Sequence, residues 1–451
     1  MKINYKALLF SIIGALFLLG FAFYNGYPIV YSDTSTYIAS GFSLQPPQDR
    51  PIIYGLFIRI FSLNGFSLWI VAFIQSLIIS YLLLLTVRDF TNLKNPSRYF
   101  LFVIASLSIL SVISFVSGQI ITDIFTSIGI LCILNLTLNA KLKRLDRILL
   151  YIIFAIANAM HMSHLIINFL LLLSILIIKR FFFKNSIILK YRNIWILFAL
   201  TMLGIFSMGS SLSKSKHVFF MGRMAENGIL IQFLNDNCQD KKYKLCDCID
   251  SIPANSTEFL WDKKSPLYTR YASWSESREE FNRIIWSTFW HPKYLIRHIC
   301  ESGKSTCRQL ISFSAGDGTG PFVGKTDLFE RIKKYFSSEA IEYSHTRQSR
   351  GLLKEEELVN VNNRYCWIII ISTLMLILIF NIESLRNQIS TDKKFLICLL
   401  LGSIILNSFV NASLVIVTDR FGAKLIWLIP FIILVIFSEL DLKVLWKGPK
   451  N

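Results

Sequence analysis

The chain has 451 residues, 53% of them hydrophobic, with 47 Lys and Arg against 29 Asp and Glu and a formal net charge of +18. Its mean hydropathy is +0.51. Long apolar runs recur along it, which excludes a water-soluble domain, and the period-two alternation of barrel strands is absent. The positive charge flanks those runs on alternate sides, the pattern of membrane topology and not of nucleic-acid binding. Only helices or closed barrels satisfy their backbone groups in lipid, so the sequence predicts an all-α polytopic membrane protein.

Apolar runs fall at 7–24, 66–86, 99–116, 124–139, 148–162, 164–178, 193–211, 365–382, 395–417 and 423–440. Lys2 and Lys6 precede the first, which places the N-terminus in the cytoplasm. That run ends on bulky residues, Phe21-Ala-Phe-Tyr24, without a small-x-small cleavage site, so it reads as an anchor and not a signal peptide. Every second gap is then basic. The gaps hold Arg88, Lys94 and Arg98, then Lys141, Lys143, Arg144 and Arg147, then Lys179, Arg180, Lys184, Lys190 and Arg192, then Arg386, Lys393 and Lys394. The tail adds Lys443, Lys447 and Lys450. About ten crossings with both termini inside satisfy this pattern. Within 148–178 the charge rule requires two short helices hinged at His161-Met-Ser-His164 in place of one tilted span.

Three blocks follow: an N-terminal membrane module at 1–211 with a first outer loop at 25–65, an outward-facing and mainly helical domain at 212–363, and C-terminal membrane helices at 364–451. In the first outer loop, Pro51 to Ile60 is amphipathic and is expected to lie along the interface. Gly316-Asp-Gly-Thr-Gly320 lacks the lysine and preceding strand of a phosphate loop and reads as a turn. Five of eight cysteines, Cys238, Cys246, Cys248, Cys300 and Cys307, sit in the outward domain, where one or two disulfides are expected. Their partners cannot be assigned by spacing.

Two acids mark the outer face. Asp33, in Tyr31-Ser-Asp-Thr-Ser-Thr-Tyr37, follows the first run, and Asp123, in Thr122-Asp-Ile-Phe125, appears at the same face two crossings later. Each suits a helix N-cap, a ligand for a transported ion or substrate, or a catalytic base. Burial at the membrane surface is expected to raise the carboxylate pKa and strengthen such a base. His161 and His164, three apart, share a helical face and could bind phosphate or pair with each other. Arg50, Arg59, Lys214, Lys216, Arg223, Arg420 and Lys424 flank outer run ends. Most such cations simply snorkel to the interface, but Arg420 stands in an outside loop where the charge rule expects few positives.

The layout resembles the GT-C superfamily of integral membrane glycosyltransferases, which includes protein mannosyltransferase-like and aminoarabinose transferase-like enzymes. Asp33 with Tyr37 is similar to the family's acid in the first outer loop, and Asp49-Arg50-Pro51-Ile-Ile-Tyr54 to the entry of its interfacial helix. Thr122-Asp123-Ile-Phe125 resembles the second acid, and Asp419-Arg420-Phe421 the Arg-aromatic pair near the last spans. His161 to His164 stand where many members carry a lysine. The likeness covers 1–200 closely and 395–440 loosely. It implies a bacterial cytoplasmic-membrane enzyme that moves a sugar from a polyprenyl-phosphate donor to an envelope glycan, lipid or protein at the periplasmic face. Asp33 and Asp123 would be catalytic, with Tyr37, Arg50, His161, His164 and Arg420 binding substrate or phosphate. A divalent metal, if used, would sit on Asp33 and Asp123. A lipid-linked polysaccharide polymerase, or a flippase or transporter of envelope precursors, is the alternative.

Overall fold

The computed structural model describes residues 5–182, 190–239, 243–438 and 440–441, so Lys2, Lys184, Lys443, Lys447 and Lys450 lie outside the described residues. The described residues form helices and no strands, with one isolated parallel bridge between Ile29 and Gln119.

All ten apolar runs fall on helices, but their lengths differ. Five are long and apolar enough to cross a membrane: Leu68–Phe90, Met162–Phe181, Glu355–Asn381, Thr391–Leu414 and Asp419–Phe437. Tyr5–Leu18, Pro96–Leu110, Ile124–Leu138 and Tyr191–Ser207 are shorter apolar helices. Local breaks explain part of the shortfall. The first run stops at Leu18 and resumes as Gly20–Asn25, and the third stops at Leu110 and resumes as Ile113–Ser117. The helix Leu68–Phe90 starts where Ser67 Oγ accepts the Trp69 N–H at 3.2 Å, an N-cap that fixes its entry.

The hinge between the fifth and sixth runs is present. Helix Arg144–Met160 ends at His161, whose backbone is extended (φ −153°, ψ 146°), and Met162–Phe182 begins at once. The pair is longer than two half-spans, at 17 and 21 residues, because both helices continue into their charged flanks at Arg144 and Arg180.

Tyr191–Glu226 is one helix of 36 residues, roughly 54 Å at 1.5 Å per residue. It outruns a hydrocarbon core of about 30 Å, and it passes through position 211 without a break. Its C-terminal end seeds a separate apolar cluster with Val218, Met221, Phe233, Leu245, Phe259, Phe281 and Tyr294. A disulfide joins Cys238 and Cys246 at the edge of that cluster, while Cys248, Cys300 and Cys307 remain free thiols.

Residues 312–358 behave differently from 218–294. Ala315, Leu328, Ile332, Phe336, Tyr343, Leu353 and Leu358 are buried in the core that the membrane helices share. Polar groups fasten this strap to the segment between the first two apolar runs and to the start of Leu68–Phe90. Glu339, 6% exposed, accepts from Tyr27 Oη at 2.6 Å and from the Leu68 N–H at 3.1 Å, and it bonds Ser67 Oγ. Gln348 accepts the Val30 N–H at 3.1 Å and donates to the Val30 carbonyl at 2.6 Å. A buried carboxylate or amide without such partners would cost several kcal/mol, so these bonds decide where the strap docks.

Candidate functional site

The helix Ser32–Ser43 carries Asp33 in its first turn, where the helix dipole favours negative charge. Asp33 does not cap the helix: Tyr31 holds the N-cap position, its N–H is accepted by Thr34 Oγ1 at 2.9 Å, and Asp33 lies within the first turn. Its carboxylate is therefore free for other partners. The helix Ile53–Phe61 crosses Ser32–Ser43 so closely that a Cβ on Gly41 would lie 2.1 Å from the Gly55 carbonyl oxygen. That crossing brings Arg50, just ahead of the second helix, beside the first turn of the other.

Arg50 Nη1 lies 2.9 Å from Asp33 Oδ1, and its other nitrogens hold Asp49 Oδ2 at 2.9 and 2.6 Å. The guanidinium sits over the Tyr37 ring, 5.2 Å from its centroid, and Tyr37 packs edge-on against Tyr54 at 4.9 Å. Tyr37 is buried, so it supports Arg50 from below and offers a substrate little surface.

Asp123 occupies the residue before helix Ile124–Leu138 and makes no side-chain cap bond. It too turns to a cation. Arg420, second residue of Asp419–Ile426, donates from Nε to Asp123 Oδ2 at 2.5 Å and from Nη1 to Asp33 Oδ2 at 3.2 Å. One guanidinium thus joins two carboxylates that are far apart in sequence. Lys424, one turn further on and 1% exposed, places Nζ 3.7 Å from Asp123 Oδ1. Among the side chains joined by these ion pairs, three acids (Asp33, Asp49, Asp123) match three bases (Arg50, Arg420, Lys424), the condition for burying ions at tolerable cost.

Exposure distinguishes the acids. The Asp33 side chain keeps 25% of its surface accessible against 4% for Asp123, so Asp33 is the one a substrate can reach. Burial alone would raise the Asp33 pKa, but Arg50 and Arg420 outweigh it and hold the carboxyl below the usual range. The expectation of a strengthened base is overturned for this arrangement. Burial has its ordinary consequence at Tyr31, whose phenol is pushed up despite the neighbouring Arg420.

The two histidine rings lie 5.5 Å apart but take different partners. His164 is buried and uses both ring nitrogens, Nε2 with Thr126 Oγ1 at 2.9 Å and Nδ1 with the Ala157 carbonyl at 2.8 Å, so it joins three helices and has no nitrogen left for phosphate. His161 Nδ1 accepts the Ser163 N–H at 3.2 Å and starts the next helix. It shares the electrostatic neighbourhood of Asp123, Lys424 and Arg420.

Several site residues escaped the sequence reading. Tyr31 lies under Arg420, 4.5 Å from guanidinium carbon to ring centroid. The turn read at 316–320 is a turn, and it covers the cluster. Asp317 Oδ2 accepts the Arg420 N–H at 3.0 Å, Asp419 Oδ1 accepts the Ser314 N–H at 2.9 Å, and a Cβ on Gly318 would fall 1.9 Å from the Tyr31 ring. Lys424, read in the sequence only as one of several cations at run ends, stands one turn after Arg420 and joins it on Asp123. Among the described residues no three His, Cys, Asp or Glu gather to hold a metal ion. A divalent ion on Asp33 and Asp123 would first have to displace the arginine between them. Compared with known proteins, the chain matches no family model, no curated protein and no solved structure.

Proposed function

We propose that the protein is an integral membrane glycosyltransferase that moves a sugar from a polyprenyl-phosphate donor to an envelope acceptor at the outer face of the cytoplasmic membrane. Ten crossings with both termini inside, and a GT-C-like arrangement of the first seven helices, belong to the same proposal. The observation that carries it is the bridge Asp33–Arg420–Asp123, with Arg50 on the second Asp33 oxygen.

Guanidinium pairs bind phosphate oxygens bidentately, and Arg50 and Arg420 stand on either side of one carboxylate. In the proposed cycle the donor phosphate draws both arginines away from Asp33. The acceptor's oxygen or nitrogen bonds to the sugar's anomeric carbon as the bond from that carbon to the phosphate oxygen breaks, and the arginines stabilise the charge that develops on the departing oxygen. Asp33, released from its cations but still sheltered, then binds a proton more readily and accepts the one lost by the acceptor hydroxyl or amine. The base is weak until substrate arrives. Asp123 keeps its hold on Lys424 and on Arg420 Nε while Arg420 Nη1 turns from Asp33 to the phosphate.

The test compares envelope glycans and lipid-linked intermediates in cells lacking the gene and complemented with wild type, Asp33→Asn or Asp123→Asn. The expected result is loss of one glycan species, with build-up of its polyprenyl-phosphate donor, in the deletion and in both variants at equal protein level. Unchanged envelopes in the deletion strain, or full complementation by both variants, would overturn the reading. Normal glycan made on the wrong side of the membrane would mark a flippase instead.

A further inference from the structure

The turn that precedes helix Leu68–Phe90 holds three consecutive residues at positive φ: Leu63 at 53°, Asn64 at 59° and Gly65 at 100°. Leu44, at the end of helix Ser32–Ser43, has φ 61°. Leucine rarely adopts this conformation, and such strain persists only where neighbours impose it. Here they do. Asn64 donates its N–H to the Arg59 carbonyl at 2.8 Å and accepts from Arg59 Nε at 3.0 Å, and the Gly65 N–H bonds Ser62 Oγ at 3.0 Å. Behind the turn, a Cβ on Gly65 would meet the Tyr335 carbonyl at 2.4 Å, and Phe42 stacks on Tyr335 at 4.5 Å.

What this clamp does is turn apolar side chains outward. Leu44 is 56% exposed, Ile60 65%, Leu63 64% and Phe66 68%. Leu63 and Phe66 stand within a few residues of Leu68, where a candidate membrane span begins, and Ile60 is at the end of the preceding helix, Ile53–Phe61. A second observation sets the same level. Phe23 stacks on Trp69 at 5.5 Å, Trp69 donates its indole N–H to Glu342 at 3.1 Å, and Tyr24, half exposed, lies under Arg347 at 4.2 Å. Aromatic rings with one apolar and one polar side collect at the membrane–water boundary.

We infer that Leu44, Ile60, Leu63 and Phe66 form a wedge that inserts among the acyl chains of the outer leaflet, beside the ionic site. This goes beyond the transferase reading and does not depend on it. The opposite face of the same helix, Ile53–Phe61, buries Tyr54 against Tyr37 beneath Arg50, so the wedge fixes the height of Arg50 and Asp33 relative to the lipid surface.

The test uses the full chain in lipid nanodiscs, with Cys248, Cys300, Cys307, Cys366 and Cys398 changed to Ser and one environment-sensitive fluorophore at Ile60→Cys, Leu63→Cys, Phe66→Cys or, as a control, Glu279→Cys. Labels at 60, 63 and 66 are expected to lose most of their emission to lipids spin-labelled high on the acyl chain and little to iodide, with the reverse at 279. Quenching of 63 and 66 by iodide and not by lipid overturns the inference, as does protection traced by crosslinking to a second copy. Leu63→Gly separates strain from insertion: it should raise Tm, by relieving the backbone, while weakening lipid quenching at a label on position 60. A fall in Tm with quenching intact would show that Leu63 serves packing only.

Discussion

Arg420 is the residue on which both carboxylates depend. Removing one partner of a buried ion pair leaves an uncompensated charge and costs about 3–5 kcal/mol, so Arg420→Ala should lower Tm in detergent well beyond the effect of a surface arginine. Arg420→Lys should not restore activity, since an ammonium cannot reach Asp123 and Asp33 together as the planar guanidinium does. Asp33 supplies a pH signature. Its native pKa is lowered, so its contribution to stability is present above the ordinary carboxylate value and is lost as pH falls through the lowered native one. The Tm gap between wild type and Asp33→Asn should therefore be full at neutral pH and close below about pH 4. A gap independent of pH down to the acid limit would show that Asp33 acts through shape and not charge.

At the scale of elements, the site depends on two close approaches. Helices Ser32–Ser43 and Ile53–Phe61 meet at Gly41 and Gly55, and Gly41→Val must force them apart. Overpacking of this kind costs about 1–3 kcal/mol, and the separation should reduce the proposed transfer more than it reduces folded protein. That outcome is read by comparing activity per folded molecule with Tm. Gly318 at φ 68° rests on the Tyr31 ring, so Gly318→Ala is strained both by conformation and by contact. It should loosen the strap over the cluster, detected as faster proteolysis within 312–358 with the membrane core intact. Neither approach was legible in the sequence. Glycines at 41, 55 and 318 look alike there, and only the crossing of distant segments shows which ones lack room for a side chain.

For the whole molecule, the two large apolar cores among the described residues imply two stabilities. The cluster around Phe233, Phe259 and Phe281 is separate from the core the membrane helices share, and its edge carries the Cys238–Cys246 bond. Closing a loop at a sequence separation of 8 stabilises by about 2.5 kcal/mol in the chain-entropy account. Reduction should therefore lower a first unfolding transition, reported by Trp261 and Trp274, and leave the membrane-core transition in place. A single transition moved as a whole would show that the two parts unfold together. The strap 312–358, by contrast, should unfold with the membrane core, because Glu339 and Gln348 fasten it there.

The helical class, the position of each apolar run, the hinge at His161 and the interest of Asp33, Asp123, Arg50 and Arg420 were determined by the sequence alone, since hydropathy and charge asymmetry are local properties that a bilayer reads directly. The tertiary structure decided which of these groups meet. Asp33 and Arg420 are 387 positions apart, and no local pattern encodes their 3.2 Å contact. Nor could any local pattern show that His164 is used up by Thr126 and Ala157, or that the turn at 316–320 closes over Tyr31. Those outcomes follow from satisfying buried charges and polar groups all at once, a condition on the packed molecule and not on any stretch of chain.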